Sequence, residues 1–215
     1  MVVDYKKTEK QFYLPKTKPE IIDIPEMAFL MIDGKGDPNS SAEYKNAMEI
    51  LYGLSYTVKM SKMAGNQPSG YFDYVVPPLE GLWSLDDGDT FTGSGAAIRD
   101  KSKFVWISMI RLPEFVTPEV FENAKMTLTK KKPDLDLSIV RFEKFTEGLC
   151  AQIMHLGSYD DEPATIAVLS EFIRSCGYVE DMTGLCRHHE IYLSDPRKTA
   201  PEKLRTVIRH PIKGA

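Results

Sequence analysis

The 215-residue sequence has little cysteine and no long run of apolar residues. Its three cysteines, Cys150, Cys176 and Cys186, form neither a CxxC pair nor a spacing typical of a disulfide framework. This favours a reducing compartment and predicts a cytoplasmic protein. No apolar run approaches the roughly 20 residues that a membrane-spanning helix needs, and the N-terminal residues lack the apolar core of a signal peptide. We therefore expect no membrane partner.

An excess of positive charge is also absent. Lysine and arginine number 27 against 31 aspartates and glutamates, which gives a net charge of -4. Because binding to phosphate backbones requires a basic surface, a direct nucleic-acid partner is not expected. The composition, with 42% hydrophobic and 27% charged residues, is that of a globular protein of one large or two small domains.

Motifs for the common cofactors are missing. The GKG at 34–36 and the GSG at 93–95 lack the third glycine of a dinucleotide fingerprint, and neither a GxxxxGK[ST] loop nor a GxSxG elbow occurs. We interpret both glycine motifs as turns and predict no cofactor. The run His188, His189, Glu190 suggests a metal, but neighbours on a strand point to opposite faces, so we predict no metal site.

What the sequence does contain is an α+β succession of elements. A strand is predicted to end at Gly34, followed by a helix that begins with a capping box from Ser40 to Glu43. Residues 70–85 have strand composition interrupted by two prolines, and residues 104–112 read as another strand. Thr117 with Pro118 is typical of a helix start.

The second half of the chain repeats this pattern. Residues 137–145 and 149–157 are predicted to form a hairpin around TEG, before a helix over 163–177 with an apolar stripe. A strand over 188–193 follows, and a capping box from Thr199 to Glu202 predicts a short amphipathic helix at the end.

An internal repeat is the most informative feature. MIDGKGDP followed by a helix resembles QIMHLGSYDDEP followed by a helix, and the glycine spacings 34–53 and 157–177 nearly match. Two such halves, about 27–85 and 148–195, would pack around a pseudo-twofold axis and leave a central cleft for a small ligand. The alternative is that strand, glycine and helix recur by chance in an α+β protein.

Strand alternation gives candidate residues for this cleft. Over 188–193 it places Glu190 with His188 and Tyr192, opposite Ile191. Glu190 then faces the cleft if the aliphatic side packs on the helices. Alternatively, this carboxylate is solvated or paired with an arginine, and the nearby aromatic residues belong to the core.

Aromatic residues accompany this carboxylate. Alternation places Trp106 on the face that can join Glu190, and Trp83 lies where its strand exits. Tyr71 and Asp73 share one face of their segment, although the segment alone leaves open which face meets the cleft. A carboxylate among aromatic rings suits a flat, hydrophobic aromatic small molecule that is cationic or polarised.

Four segments resemble a known family: PPLEGLW, VRFEKFTEG, HLGSYDDEPAT and HHEIYLSDPRKTAPEKLRT. They are similar to GyrI-like small-molecule-binding proteins, which are related to the effector-binding domains of multidrug-responsive activators and to the bacterial gyrase inhibitory protein. The resemblance runs from about Met27 to Ile212. It implies a duplicated strand-helix-strand-strand (SHS2-type) fold over residues 19–215, after a polar segment 1–18, with a central ligand cleft.

The resemblance also implies roles for particular residues. The acidic residue of the EIYL strand, here Glu190, would face the ligand, and Trp83 and Tyr159 would line the cleft. Tyr71 and Trp106 are assigned to the cleft by their positions and by strand alternation. The remaining predicted ligand-binding residues are Tyr192 and Asp73. No helix-turn-helix domain is attached, so direct control of transcription is not expected.

Stand-alone members of this long form resemble hydrolases that open the cyclopropane ring of DNA-alkylating cyclopropanoid natural products. Opening of such a ring needs a base for water and a donor for the developing phenolate. We hypothesise that Glu190 orients or deprotonates water and that Tyr71, or another cleft tyrosine, donates to the ligand carbonyl. Trp83 and Trp106 would hold the flat ligand. The alternatives are a drug-sequestering module without catalysis and an interaction protein that inhibits gyrase; a homodimer is compatible with all three.

Overall fold

A computed structural model describes residues 2–86, 100–185 and 187–215. The predicted GSG turn at 93–95 and Cys186 lie outside these residues. The strands are β1 (Glu20–Lys35), β2 (Leu79–Leu85), β3 (Phe104–Arg111), β4 (Arg141–Leu156), β5 (Tyr178–Glu180), β6 (His188–Tyr192) and β7 (Arg205–Gly214). The α-helices are α1 (Tyr5–Thr8), α2 (Lys10–Tyr13), α3 (Ala42–Lys59), α4 (Pro118–Lys131) and α5 (Glu162–Ser175).

The strands form one antiparallel sheet in the order β4-β1-β3-β2-β6-β7-β5. A further pairing of β4 with β7 closes the sheet into a barrel-like ring. In the middle of this order β2 pairs with β6, with Gly81 opposite Glu190 and Trp83 opposite His188. The α+β fold class predicted from the sequence is confirmed.

The two halves share a succession of elements, β1-α3-β2-β3 and β4-α5-β6-β7, except that the second half has the additional short strand β5 between α5 and β6. The two first strands have equal length, 16 residues each, and they pair with each other along most of that length. This order is compatible with the predicted duplication, which stays a prediction. Helix α4 lies between the halves in sequence and packs against α3.

Local chemistry explains where the helices begin. Ser41 caps α3 by accepting a hydrogen bond from the backbone N–H of Tyr44 at 3.2 Å, so the cap predicted at Ser40 was one residue too early. Thr117 caps α4 with Pro118 in its first turn, as predicted. The apolar stripe predicted for α5 is confirmed at Ile166, Leu169 and Ile173, which are all buried, whereas Cys176, the fourth residue predicted for the stripe, follows the helix and is exposed.

The structure corrects three predicted elements. Residues 141–156 form one strand rather than a hairpin around TEG, and Gly148, with φ +72°, adopts a left-handed conformation within it. The predicted C-terminal helix is strand β7, which pairs with β4 and β6 at its two edges and is buried on both faces. Residues 71–78 are largely irregular, and β2 begins only after Pro77 and Pro78.

The two faces of the sheet carry separate apolar clusters. One face packs Leu30, Ile32 and Ile110 under α3 and α4. The opposite, inward face carries a cluster that includes Phe29, Met31, Leu82, Ile107 and Met109. Glu190 and Ile191 therefore lie on opposite faces of the sheet, and Ile191 packs in a separate apolar cluster.

The N-terminal segment belongs to the packed structure, although its composition is polar. Tyr5 and Tyr13, from α1 and α2, are only 3% and 2% exposed. Arg111 anchors this segment, because its guanidinium lies 2.5 Å from the carboxylate of Glu9 and 4.2 Å above the Tyr5 ring.

None of the described helices combines the length and the apolar character that crossing a membrane requires.

Candidate functional site

A large cleft lies between helices α3 and α5, above the paired strands β2 and β6. Its volume is about 1540 Å³. The floor carries Trp83 from β2 and Glu190 and Tyr192 from β6, while Tyr44 lines it from α3 and Glu162 from α5. Since β2 and β6 belong to different halves of the chain, the sheet brings residues about 110 positions apart in sequence onto one surface.

Hydrogen bonding and close packing fix the aromatic floor of the cleft. The indole N–H of Trp83 donates to the Tyr192 hydroxyl at 2.9 Å. Gly81 lies beneath this pair, and a Cβ atom at its position would be only 2.6 Å from the Trp83 indole nitrogen. The Tyr159 ring stands edge-on to Tyr192, with 5.8 Å between the ring centroids. Glycine at position 81 is thus required for the observed orientation of Trp83.

Two carboxyl groups meet at the end of this floor. Glu162, in the first turn of α5, and Glu190 are 6% and 8% exposed. Together with His188 they place one polar atom each within 4.8 Å of one another. Burial, followed by the negative charge of Glu190, raises the pKa of Glu162 well above its ordinary value. Burial beside Glu190 therefore favours the neutral, protonated form of Glu162.

Oε1 of Glu162 is buried and has no hydrogen-bond partner among the described residues. A buried polar atom without a partner is costly, and such atoms are uncommon in folded proteins. Since Glu162 lines the cleft, a ligand or water in the cleft can satisfy this atom.

Three tyrosines near the acids keep their phenolic protons at neutral pH. Burial, followed by the charge of Glu190, raises the pKa of Tyr44 and Tyr192 well above the ordinary value, and that of Tyr159 to about 12. A hydrogen bond to Glu190 adds to the shift of Tyr192. Protonated hydroxyl groups of this kind donate hydrogen bonds to an oxygen that gains negative charge.

A chain of hydrogen bonds leads away from Glu190 into the protein. His188 Nε2 lies 3.0 Å from Glu190 Oε1, and His188 Nδ1 lies 2.8 Å from His210 Nε2. His210 Nδ1 in turn lies 2.8 Å from Glu180 Oε1, which also accepts from the Ser170 hydroxyl at 2.7 Å. The chain thus connects three strands: β6, β7 and β5.

His189, the neighbour of His188, points to the opposite face of β6. Its two ring nitrogens lie 3.0 Å from Glu80 and from Glu147, and Arg209 bonds to Glu147 at 3.1 Å. Burial opposes the charged form of His189, but the charge and hydrogen bond of Glu147 raise its pKa to about 9. Burial likewise opposes the charge of Glu147, while His189 and Arg209 lower its pKa to about 2. This network is structural, because the sheet separates it from the cleft.

A metal ion would have to use Glu162, His188 and Glu190, the group of described residues whose potential ligand atoms are close enough. In the structure, however, His188 Nε2 and Glu190 Oε1 form a hydrogen bond with each other. We therefore interpret this group as an acid–base site. His188 and His189 bond to different partners on opposite faces of β6, as strand alternation predicted.

Four residues predicted for the cleft do line it: Glu190, Trp83, Tyr159 and Tyr192. Trp106 does not, because it is fully buried between Gly34 and the edge of the Tyr44 ring, 5.0 Å away. Strand alternation assigned Trp106 to the correct face of the sheet, but helix α3 covers that part of the face. Trp106 therefore supports the cleft from below.

Tyr71 and Asp73 also lie outside the lining of the cleft, contrary to expectation. The Tyr71 hydroxyl donates to the backbone carbonyl of Lys59 at 2.7 Å, and its ring packs on Phe115. Asp73 pairs with Lys62 at 2.6 Å. Both residues belong to the irregular segment that follows α3, so the strand alternation used to place them did not apply.

Sequence reasoning missed Glu162, Tyr44 and the histidine chain. Glu162 is part of the HLGSYDDEPAT segment, so its proximity to the predicted Tyr159 was a usable signal. Tyr44 lies in the helix predicted after Ser40, but no sequence pattern singled it out as a residue of the cleft. His210 was hidden in a predicted helix, which the structure shows to be β7.

The mouth of the cleft carries paired charges. Lys101 and Asp160 form an ion pair of 3.0 Å, and the guanidinium of Arg197 lies 2.9 Å from Asp195. All four residues line the cleft. The rim is therefore charged but close to balanced, while the floor is aromatic and holds the two buried carboxyl groups.

Comparisons with known proteins agree with this architecture. The family model described as a GyrI-like small molecule binding domain matches residues 17–213. No curated protein matches the chain significantly. A solved structure of a hydrolase from Listeria innocua is 46% identical, with a TM-score of 0.88, covering 98% of this chain and 100% of that one.

Two further structures extend the comparison. An uncharacterized conserved protein from Listeria innocua is 47% identical, with a TM-score of 0.90 and coverage of 98% and 100%. The C-terminal domain of EcmrR is 12% identical, with a TM-score of 0.51 over 92% of this chain and 98% of that one. At this identity, the last likeness concerns the fold alone.

Proposed function

We propose that this protein, which belongs to the GyrI-like small-molecule-binding family, is a hydrolase of flat aromatic electrophiles. Its substrates would be DNA-alkylating natural products with an activated cyclopropane ring, and their hydrolysis would be a detoxification. The observation that carries the proposal is the buried pair of Glu162 and Glu190 at the end of an aromatic cleft. The similarity to a protein named a hydrolase supports the reaction class.

The chemistry of such a ligand defines what the cleft must supply. In a cyclopropane fused to a dienone, water attacks the methylene carbon and one C–C bond of the small ring breaks. The electron pair of that bond moves into the dienone, which becomes an aromatic phenolate. One group must therefore remove a proton from water, and another must donate a proton to the phenolate oxygen.

The two cleft acids match these two tasks. Glu190, ionised, accepts the proton of the attacking water, and Glu162, protonated, donates to the phenolate. Neutral acid and charged base side by side are the usual result when two buried carboxyl groups share one site. The protons balance, because Glu190 gains one from the attacking water and Glu162 loses one to the phenolate. The product is therefore the ligand plus one water.

The aromatic floor supplies orientation. Trp83 and Tyr192 are held together by their hydrogen bond, and Tyr159 stands against Tyr192, so a flat ligand meets rings that are already positioned. A tyrosine of the cleft, rather than Tyr71, donates a hydrogen bond to the ligand oxygen that Glu162 protonates in this proposal. Tyr159 is the candidate, because its hydroxyl group is near Glu190, whereas the hydroxyl proton of Tyr192 is used in a hydrogen bond to Glu190.

The test uses a spirocyclopropyl cyclohexadienone, the simplest compound with this reactive group, and detects the hydroxyethyl phenol product by mass spectrometry. We expect many turnovers for the wild-type protein. Glu190→Gln and Glu162→Gln should each lower kcat by about a hundredfold or more, the usual contribution of a general acid or base, with little change in ligand Kd. Glu202→Gln, at an exposed residue on a short turn outside the lining of the cleft, is the matched control and should keep kcat.

Unchanged turnover in Glu190→Gln would contradict the assigned role. A second candidate function is a sequestering module without catalysis. It is favoured by the cleft volume of about 1540 Å³, which exceeds the roughly 300–1,000 Å³ usual for small-molecule sites and fits permissive binding. Stoichiometric binding with the ligand recovered intact would support that alternative and reject the hydrolase.

A further inference from the structure

The hydrogen-bonded chain Glu190–His188–His210–Glu180, hereafter the histidine chain, connects the cleft with a second carboxylate. His188 and His210 are fully buried, whereas the Glu180 side chain is 15% exposed. Three consecutive contacts of 2.8–3.0 Å link the four residues. Each imidazole uses both ring nitrogens in the chain, which is the arrangement that transfer of a proton through a ring requires.

The directions of the hydrogen bonds follow from the charge at one end. Burial opposes ionisation of Glu180, but hydrogen bonds from His210 and Ser170 lower its pKa, so Glu180 is a carboxylate at neutral pH. His210 Nδ1–H then donates to Glu180. Burial, despite the favourable bond to Glu180, lowers the pKa of His210, so this ring is neutral and its Nε2 accepts from His188 Nδ1–H.

One proton remains for the contact between His188 Nε2 and Glu190 Oε1, because two atoms 3.0 Å apart need a proton between them. The resting chain therefore carries three protons and one net negative charge. A fourth proton would make all four residues neutral. The chain can therefore accept a proton at Glu190 and end with all four residues neutral, so that no buried charge remains.

We propose that the histidine chain is a proton relay that serves Glu190, an inference that rests on the proposed function of the cleft. Glu190 takes a proton from the attacking water, and the proton between Glu190 and His188 remains on His188. His188 Nδ1–H passes to His210, and His210 Nδ1–H passes to Glu180, whose charge is neutralised. Glu190 is the catalytic residue, and His188, His210 and Glu180 are positioning residues.

The relay resets by the reverse path. After the phenol leaves, Glu162 is ionised and the histidine chain holds one extra proton. The chain returns this proton through Glu190 and a water in the open cleft to Glu162, so every hydrogen bond recovers its original direction. No other donor, acceptor or oxidant is needed, and the atoms of ligand and water account for the product.

Other charged and titratable groups face the relay and define its electrostatic setting. Around Glu190 the cleft contributes one neutral acid and several protonated tyrosines, all with raised pKa values. Near the other end, an arginine of α5 and a glutamate of β4 act on Glu180 and His210. These groups are Glu162, Tyr44, Tyr159 and Tyr192 at the cleft, and Arg174 and Glu147 at the far end.

The direct test observes the two imidazoles by ¹⁵N NMR in the unliganded wild-type protein, without any substrate. At neutral pH, His210 should be protonated at Nδ1 alone. On acidification it should change to the Nε2–H form together with His188, because the added proton ends on Glu180. In Glu180→Gln, which keeps an oxygen acceptor but cannot take the proton, His210 should remain in the Nδ1–H form.

The kinetic test uses the spirocyclopropyl cyclohexadienone. Glu180→Gln should lower kcat about tenfold to a hundredfold with KM unchanged, as expected for a weakened base. It should also move the acidic limb of the kcat/KM profile to lower pH, because a negative charge that favours proton uptake is gone. Ser170→Ala, which removes a second hydrogen bond to Glu180 and leaves the charge, is the matched control and should not move the limb to lower pH, because loss of this bond favours protonation of Glu180.

The outcomes separate the two proposals. Absence of wild-type turnover would reject the hydrolase, and the NMR result would still decide the relay. Two results would overturn the relay. One is that the proton taken up on acidification converts His210 to an imidazolium. The other is that Glu180→Gln, in an active enzyme, leaves the pH profile of kcat/KM unchanged. The histidine chain would then only hold β5, β6 and β7 together.

Discussion

The indole N–H of Trp83 and the hydroxyl of Tyr192 are joined by a hydrogen bond of 2.9 Å that crosses from β2 to β6. The two residues lie 109 positions apart in the chain. This contact ties the halves of the molecule together at the floor of the cleft and fixes both rings before any ligand arrives. Preorganised rings lose little conformational entropy when a flat ligand stacks on them.

Tyr192→Phe should therefore destabilise the protein. Removal of the hydroxyl leaves the Trp83 N–H without its acceptor, and an unsatisfied buried donor costs about 1–3 kcal/mol. The free energy of unfolding, measured in urea, should fall by that amount. Tyr56→Phe is the control, because Tyr56 is 51% exposed and should unfold like the wild type. Equal stability of the two variants would contradict the importance of the Trp83 contact.

The chain has two tryptophans, and they make ligand binding observable by fluorescence. Trp83 lines the cleft, whereas Trp106 is fully buried beneath it. In Trp106→Phe, where Trp83 alone reports, a flat aromatic ligand should quench most of the emission by stacking. In Trp83→Phe the same ligand should quench far less. Stronger quenching of Trp106 than of Trp83 would place the ligand elsewhere.

Gly81→Ala should impair binding through a steric effect alone. The new methyl group would lie 2.6 Å from the Trp83 indole nitrogen and 3.2 Å from the Tyr192 hydroxyl, so one of these rings must move. Overpacking of this kind costs roughly 1–3 kcal/mol, and we expect ligand Kd to rise by about tenfold or more. Gly214→Ala, with no heavy atom within 4 Å of the added methyl group, is the matched control. Equal ligand affinity of both variants would show that Trp83 does not need its present orientation.

The His189 network should make stability depend on alkaline pH. The folded pKa of His189, about 9, lies above its ordinary value of 6.5, so its ionic contribution is complete below pH 6.5 and disappears as pH rises through 9. The size of the shift corresponds to a loss on the order of 3 kcal/mol. Urea unfolding between pH 6.5 and 9.5 measures it.

His189→Gln should flatten this pH dependence, at the cost of lower stability at neutral pH. The low pKa of Glu147, about 2, makes stability depend on pH only in the acidic range. Its contribution is present above the ordinary value of 4.5 and is lost as pH falls through 2, so it leaves the alkaline window unaffected. A stability curve that is flat from pH 6.5 to 9.5 in the wild type would show that His189 is not held in its charged form.

Much of the local structure was predictable because short-range chemistry decides it. The start of α4 at Thr117 and Pro118 needs only a cap and a fixed φ. The apolar stripe of α5 follows from helical spacing. The last strand was mistaken for a helix, because a segment buried on both faces lacks the alternation that identifies a half-buried strand.

By itself, the sequence determined that Glu190 and Ile191 occupy opposite faces of their strand, since alternation is a property of any extended chain. Which face meets the cleft, and what stands beside Glu190, was decided by tertiary structure. The pairing of β2 with β6 and the position of α5 place Trp83 and Glu162 next to it. These partners come from distant segments, and only closure of the sheet brings their side chains within contact distance.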